Sequence, residues 1–570
     1  MVFYRPAATR TCAARAASHE TNPRVSHAVP QSDRAATSNA GGWRDRTLIA
    51  AVFLALVVLY WGTVYATTGG LGFPLDDAYI HLQFARHLWE DGQMAFNRGV
   101  PSSGCTAPLY PVLLAGIYAA VRDWHLASAV LGAACGLIAA WVMHSTLYRW
   151  TGQRALARAG GLLTVLMNPL VVSAGSGMET PAYVLVFVLG LRLYAGARGR
   201  LAASALLALG IALRPEFLVL LPCILLERAL AARADPGRRW LNFTRDAWPH
   251  LVLWSIAVAL YAAYHWHQDR HWLPTTFGAK AIGLSGLLIP VVKGLPAAAV
   301  VGGWLPILLA LTLWPALTLL LAGIGLGINC APLAFGLREA AASAWRNPGP
   351  YAPARRLAVL VLLIYPLARG FVDPAMPFWY QFQRYYAHLS PLLILIALGA
   401  FPVTGALVQR RFWNWTATPT ALQLRRAMLW ALPALVGRLG LAVLAVGNID
   451  AMQVHLGHWV HAHTRADELV ATNDIGAIGF FSRRPILDTV GLIEPGVVEH
   501  QLRGGHLLDY LAQRRPAYVI VFPNWYPDLA QRADVLKPVH SVRLKLNVIC
   551  GGPEMVVYRP RWADADASAH

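Results

Sequence analysis

The chain is short of charge. Of its 570 residues only 14% are charged and 56% are hydrophobic, where a soluble chain averages about 25% charged. That shortage excludes a soluble enzyme, a disordered chain and a coiled coil. Acids are the scarcer sign. Asp and Glu number 29 against 48 Lys and Arg, a net charge of +19. In a soluble protein such an excess points to nucleic acid; in a membrane protein it marks basic cytoplasmic loops. The arginines cluster between apolar runs, so the second reading holds and no nucleic acid is expected. Cysteine is scarce too. The six, at 12, 105, 135, 223, 330 and 550, form no CxxC pair, which leaves no zinc motif and no disulfide framework. No internal repeat stands out, which counts against a transporter built from repeats. A secretory signal pattern, basic then at once apolar, is missing as well. Residues 1–46 are polar, with seven arginines against Glu20, Asp33 and Asp45, and read as a disordered cytoplasmic tail.

What the chain has is long apolar runs. A membrane helix needs about 20 mainly apolar residues. The first is 47–66, and Arg44 and Arg46 before it set the N-terminus inside. The first outer loop then runs over 67–124. Within it, residues 107–121 are apolar but too short to span, and suit an interfacial helix. Further spans are expected at 125–147, 159–175, 181–196, 201–214, 216–231, 248–265, 303–326, 357–371, 389–407 and 427–447. The expected fold is a polytopic α-helical membrane protein of about 11 spans. Its transmembrane domain covers 47–447. Residues 448–570 carry ordinary charge and two strand-like runs, AYVIVF (517–522) and EMVVYRP (554–560). They predict a small C-terminal α/β domain outside the membrane, and the stretch 467–479 reads as a strand followed by a turn.

Five groups of polar residues fall on the outer side of this scheme. Asp76 and Asp77 open a helical pattern over 77–90, with Ile80, Phe84 and Leu88 spaced by four. Spacing alone suits an N-cap and a first-turn acid; it equally suits a general base whose neighbour raises its pKa. Glu179 in SGMET is the second group. Arg214 and Glu216 in LRPEF are the third; ionisable residues between apolar runs are functional candidates, or else pair with each other. The fourth is HWHQDRHWLPTTFGAKA (265–281), with Lys280 as its only lysine. Its histidines 265, 267 and 271 lack an acidic partner at helical spacing, and with Trp266 and Trp272 they read as interfacial. The fifth, FWYQFQRYYAHLSP (378–391), holds Arg384, Tyr385 and His388. Its aromatics fit a membrane belt, and Arg384 can grip a phosphate bidentately.

Six blocks in order then carry a resemblance. DDAYIHLQFARHLWEDGQMAFN (76–97), SGMET (176–180), RPE (214–216), PTTFGAKA (274–281), RYYAHLSPLL (384–393) and TNDIGAIGFFSRRPILDTVGLIEP (472–495) resemble the GT-C glycosyltransferases that use polyprenyl-phosphate sugars. They are most similar to the branch of the terminal arabinofuranosyltransferases. The resemblance implies an inverting glycosyltransferase of the bacterial inner membrane, with a polyprenyl-phosphate-linked sugar as donor and a glycan, lipid or protein as acceptor. It implies Asp76 as catalytic base, with Asp77 as neighbour or alternative. It implies that Arg384, Lys280 and Arg214 hold the lipid phosphate; Tyr79, Glu179, Glu216, Tyr385 and His388 complete the candidate substrate- or donor-binding set. A divalent cation stays open as cofactor, with no ligand set assigned. The competing class is a transporter or flippase of lipid-linked sugars.

Overall fold

Apolar runs with few charges form helices, because an α-helix satisfies its own backbone hydrogen bonds and can leave its side chains in lipid. The computed structural model describes residues 31–167, 170–232, 236–276, 351–372, 380–399 and 421–562. Lys280 and the expected span 303–326 lie outside the described residues.

The helices are α1 (Gln31–Thr68), α2 (Asp77–Asp91), α3 (Leu109–Val121), α4 (Trp124–Thr151), α5 (Arg154–Met167), α6 (Leu170–Ala174), α7 (Thr180–Tyr194), α8 (Arg200–Leu209), α9 (Leu220–Ala232) and α10 (Arg239–Asp269). They continue with α11 (Ala352–Val372), α12 (Leu389–Gly399), α13 (Ala421–Ile449), α14 (His455–His463) and α15 (Gly476–Ser482). Residues from Arg46 onward form one unit and those up to Asp45 another. Among the described residues four helical stretches are long and apolar enough to cross a membrane: Gly42–Thr68, Trp124–Thr151, Trp240–Asp269 and Leu435–His463. Large apolar residues on them stand exposed, among them Val58, Leu59, Leu260 and Val436, a surface that suits lipid rather than water. Other expected spans are shorter. The stretch 201–214 is the 10-residue α8 followed by a 3₁₀ turn, and 216–231 centres on the 13-residue α9. Helix α3, also 13 residues, falls short of the length that spans a bilayer.

The last described stretch, 470–560, carries a five-stranded sheet in the order β4-β3-β5-β7-β6. Its strands are β3 (Val470–Thr472), β4 (Ile486–Asp488), β5 (Tyr518–Val521), β6 (Leu536–Arg543) and β7 (Glu554–Pro560); β1 (Ala95–Asn97) and β2 (Val100–Pro101) make a small ribbon in the first loop. Strand β3 pairs in parallel with β4 and β5, whereas β7 runs antiparallel to β5 and β6. The two strand-like runs of the sequence are β5 and β7, paired to each other. The stretch 467–479 is a strand and a turn, and then a helix, α15, that its composition did not announce.

Helix α2 is the element on which the site is built. Gly92 at φ 68° ends it, its N–H bonding back to the Leu88 carbonyl while the Gln93 N–H takes that of His87. Its inner face enters a core with Tyr110 and Leu114 of α3, Met178, Leu213, Ile449 at the end of α13, and Ala477 and Phe480 of α15. The first loop is therefore clamped between the helical bundle and the region that carries the C-terminal sheet. Gly177 (φ 74°) makes this possible on the bundle side, since a Cβ there would lie 2.7 Å from the Ala78 Cβ.

Candidate active site

Asp76 sits one residue before α2, and its side chain caps a different helix. Its two carboxylate oxygens accept from the N–H groups of Gly476 and Ala477, both at 2.7 Å, the first residues of α15. The partial positive charge of a helix N-terminus favours an anion there. The approach is close enough to demand glycine: a Cβ on residue 476 would lie 2.1 Å from the Asp76 carbonyl oxygen. Burial and the nearby Asp474 carboxylate nevertheless push the Asp76 carboxyl well above its ordinary range, against the pull of the two N–H bonds, and Asp77 adds to the rise. Asp474, held at 2.7 Å by the Gln453 amide, is itself raised to about 6 by burial and by Asp77.

Asp77 points the other way. It pairs with Arg384 at 2.6 Å. Arg384 also donates to the Tyr385 hydroxyl at 2.9 Å and reaches the Met178 sulfur at 3.7 Å. Burial opposes its charge, but Tyr385, Asp77 and Glu179 hold its pKa above the ordinary value. Glu179, just before α7, takes Arg214 at 2.6 Å on one oxygen and His81 at 3.1 Å on the other. Burial would raise its carboxyl; Arg214, His81 and Arg384 keep it below the usual carboxylate range. Arg214 is extended (φ −156°, ψ 121°), as a residue before proline prefers. Its guanidinium lies 4.6 Å from the Tyr385 ring centre and bonds Glu216 at 3.2 Å. His388 bonds the Tyr183 hydroxyl, and burial and Arg214 keep its pKa well below the ordinary value, hence neutral.

The structure thus brings Asp76, Asp77, Glu179, Arg214, Glu216, Arg384, Tyr385 and His388 into one region, with carboxylates and guanidiniums alternating. Tyr79 is placed apart from the ion pairs, 1% exposed and ringed by Phe73, His125, Phe480 and Phe481. Three members escaped sequence reasoning. His81 lies one helical turn beyond Asp77, a visible i,i+4 relation. Asp474 sits in the quoted TNDIGAIG text. The Gly476 and Ala477 amides carry no residue-type signal, because the backbone does the binding. Among the described residues no three His, Cys, Asp or Glu side chains are grouped to hold a metal ion. His265 lies not in an outer loop but in the last turns of α10, buried and enclosed by Tyr261 and Tyr264.

Fold and site together define a membrane protein of apolar helices whose first loop packs against a C-terminal sheet region. Solved structures share that fold. ArnT from Cupriavidus metallidurans bound to undecaprenyl phosphate aligns over 91% of this chain and 98% of its own, with a TM-score of 0.52 and 14% identity. Its apo state aligns over the same shares at 0.50 and 14%. The likeness is one of fold: this chain and ArnT share an overall architecture along nearly their whole lengths. The Archaeoglobus fulgidus oligosaccharyltransferase in complex with zinc and sulfate overlaps more loosely, at 0.47 and 15% identity, over 84% of this chain and 67% of its own. Residues 447–558 match a domain of unknown function, DUF8728. No curated protein sequence matches the chain.

Proposed function

We propose that this chain is an inverting glycosyltransferase. It moves a sugar from a polyprenyl-phosphate donor to a glycan or lipid of the cell envelope, on the outer face of the bacterial inner membrane. The observation that carries the reading is the pairing of a raised carboxyl, Asp76, with a cationic face one residue away, Arg384 on Asp77. In this reading Asp76 removes the proton from the acceptor hydroxyl; a carboxylate whose pKa is raised above its ordinary value is a stronger base for that task. The hydroxyl oxygen attacks the anomeric carbon as the bond to the lipid phosphate breaks on the opposite face. Arg384, with Arg214 behind it, stabilises the charge that gathers on the departing phosphate. A phosphate is a good leaving group, so no general acid is required. One displacement inverts the anomeric centre.

The sugar is proposed to be a hexose or a pentose, with arabinofuranose among the pentoses that the resemblance suggests. The C-terminal domain is taken to lie outside the membrane, which the arginine distribution supports. The test is purified protein with a panel of polyprenyl-phospho-sugars, read by mass spectrometry. Consumption of a donor with appearance of a new glycoside of inverted configuration is expected. Translocation of intact donor without a new glycoside would overturn the reading in favour of a flippase.

A further inference from the structure

Beyond the ion-paired site, a second cleft of about 390 Å³ opens between the first loop and the C-terminal domain. Its polar lining is almost all basic: Arg86 of α2, Arg122 after α3, Arg483 after α15, and His125, His458 and His461. The lining has one acid, Asp123, and that side chain already caps α4 by accepting from the Leu126 N–H at 2.7 Å. Glu90 bears on Arg86 from its own helix, and Arg483 opposes Arg86. Arg86 is anchored by the Phe480 carbonyl at 2.9 Å. Arg122 rests on the Trp89 ring, 5.0 Å from its centre. The His125 Nε2 is buried and has no hydrogen-bond partner among the described residues. Both Arg122 and Arg483 occupy left-handed backbone, φ 57° and 54°, where glycine would be at ease. The chain spends a guanidinium at each.

We propose that this cleft binds a phosphate group carried by the acceptor, gripped between Arg86, Arg122 and Arg483. The inference rests on the glycosyltransferase reading and names a subsite of it. Arg86 stands nine residues along α2 from Asp77, about 14 Å at the rise of an α-helix. Phe480 of the cleft wall packs against Tyr79 on the way, 5.8 Å between ring centres. A phosphate seated by Arg86 would thus lie roughly 14 Å along the helix from the acidic pair, a span of about three sugar rings. Planar guanidiniums converging from separate elements suit the oxygens of a phosphate.

The test uses the full-length protein in detergent with inorganic pyrophosphate as probe, followed by calorimetric titration. The double variant Arg122→Gln/Arg483→Gln is expected to bind at least tenfold more weakly than wild type, with an unchanged melting temperature. Arg384→Gln is expected to bind as wild type does, which separates this cleft from the ion-paired site. A second arm measures co-sedimentation with phosphatidylcholine vesicles containing phosphatidic acid. A drop there in the double variant assigns the phosphate to a lipid acceptor; a loss confined to pyrophosphate assigns it to a soluble glycan, and either supports the site. Equal binding by wild type and double variant, no binding by wild type, or loss only in Arg384→Gln overturns it. Acceptor-independent hydrolysis of donor stays at the wild-type rate in the double variant, so a failed subsite is distinguishable from a failed glycosyltransferase reading.

Discussion

Among the described residues two buried ion networks are built to different ends. Around Glu227 of α9 the bonding is closed. One carboxylate oxygen takes Arg356 through two nitrogens, at 2.9 and 2.7 Å; the other takes the Tyr194 hydroxyl at 2.8 Å and the Arg228 Nε at 2.7 Å. Glu227 is fully buried, and these bonds tie α7, α9 and α11 together. Around Asp77 and Glu179 the bonding is open. The Nε atoms of Arg384 and Arg214, the Nε2 of His388 and the Nδ1 of His81 are buried with no hydrogen-bond partner among the described residues. Buried donors without partners are costly. A saturated network can only hold helices, whereas one with spare donors converging on a carboxylate is prepared for something that arrives.

The contrast can be broken by substitution. The largest effect is expected from Asp76→Asn, which should lower the transfer rate by about 10² to 10⁴, the usual share of a general base. Wild-type turnover by that variant, measured with donor and acceptor in excess, would remove Asp76 from the mechanism. Arg384→Gln should lower kcat by about 10² to 10³ with only a small change in melting temperature. Glu227→Gln should do the reverse. Breaking a buried ion pair costs about 3–5 kcal/mol, so thermal unfolding should shift strongly while the folded fraction keeps its kcat. If both variants lose stability alike and activity alike, the two networks do not differ in purpose.

The smaller effects sharpen the picture. Asp474→Asn removes a charge that raises the Asp76 carboxyl, so the acidic limb of the pH–rate profile should move to lower pH, by up to about one unit. Stability follows with a definite sign. A carboxyl raised to about 6 against about 3.9 unfolded holds its proton more tightly in the native state, so its stability is full below the unfolded value and is lost as pH rises toward 6. Asp474→Asn should therefore raise the melting temperature at pH 7 and leave it nearly unchanged at pH 4.

Much of this was legible in the sequence, for physical reasons. Residues whose chemistry is costly among apolar runs announce themselves, and Asp76, Asp77, Glu179, Arg214 and Arg384 did so. The strands β5 and β7 were visible because each buries a short apolar run. Two things were hidden. Helix α15 is only seven residues, and its amides bind Asp76 without any side-chain signature. The lengths of α8 and α9 were hidden too, because apolar composition continues through the 3₁₀ turns around Arg214 that interrupt them.

The grip of Gly476 and Ala477 on Asp76 joins positions 400 and 401 residues apart. In the order of synthesis, the carboxylate leaves the ribosome long before the amides that hold it. Until those residues have been made and docked, Asp76 has no fixed direction. A partly made chain already inserted in the membrane would then carry the acid and the arginines without the alignment they need. The helix that is made last is thus the one that fixes the direction of the Asp76 side chain.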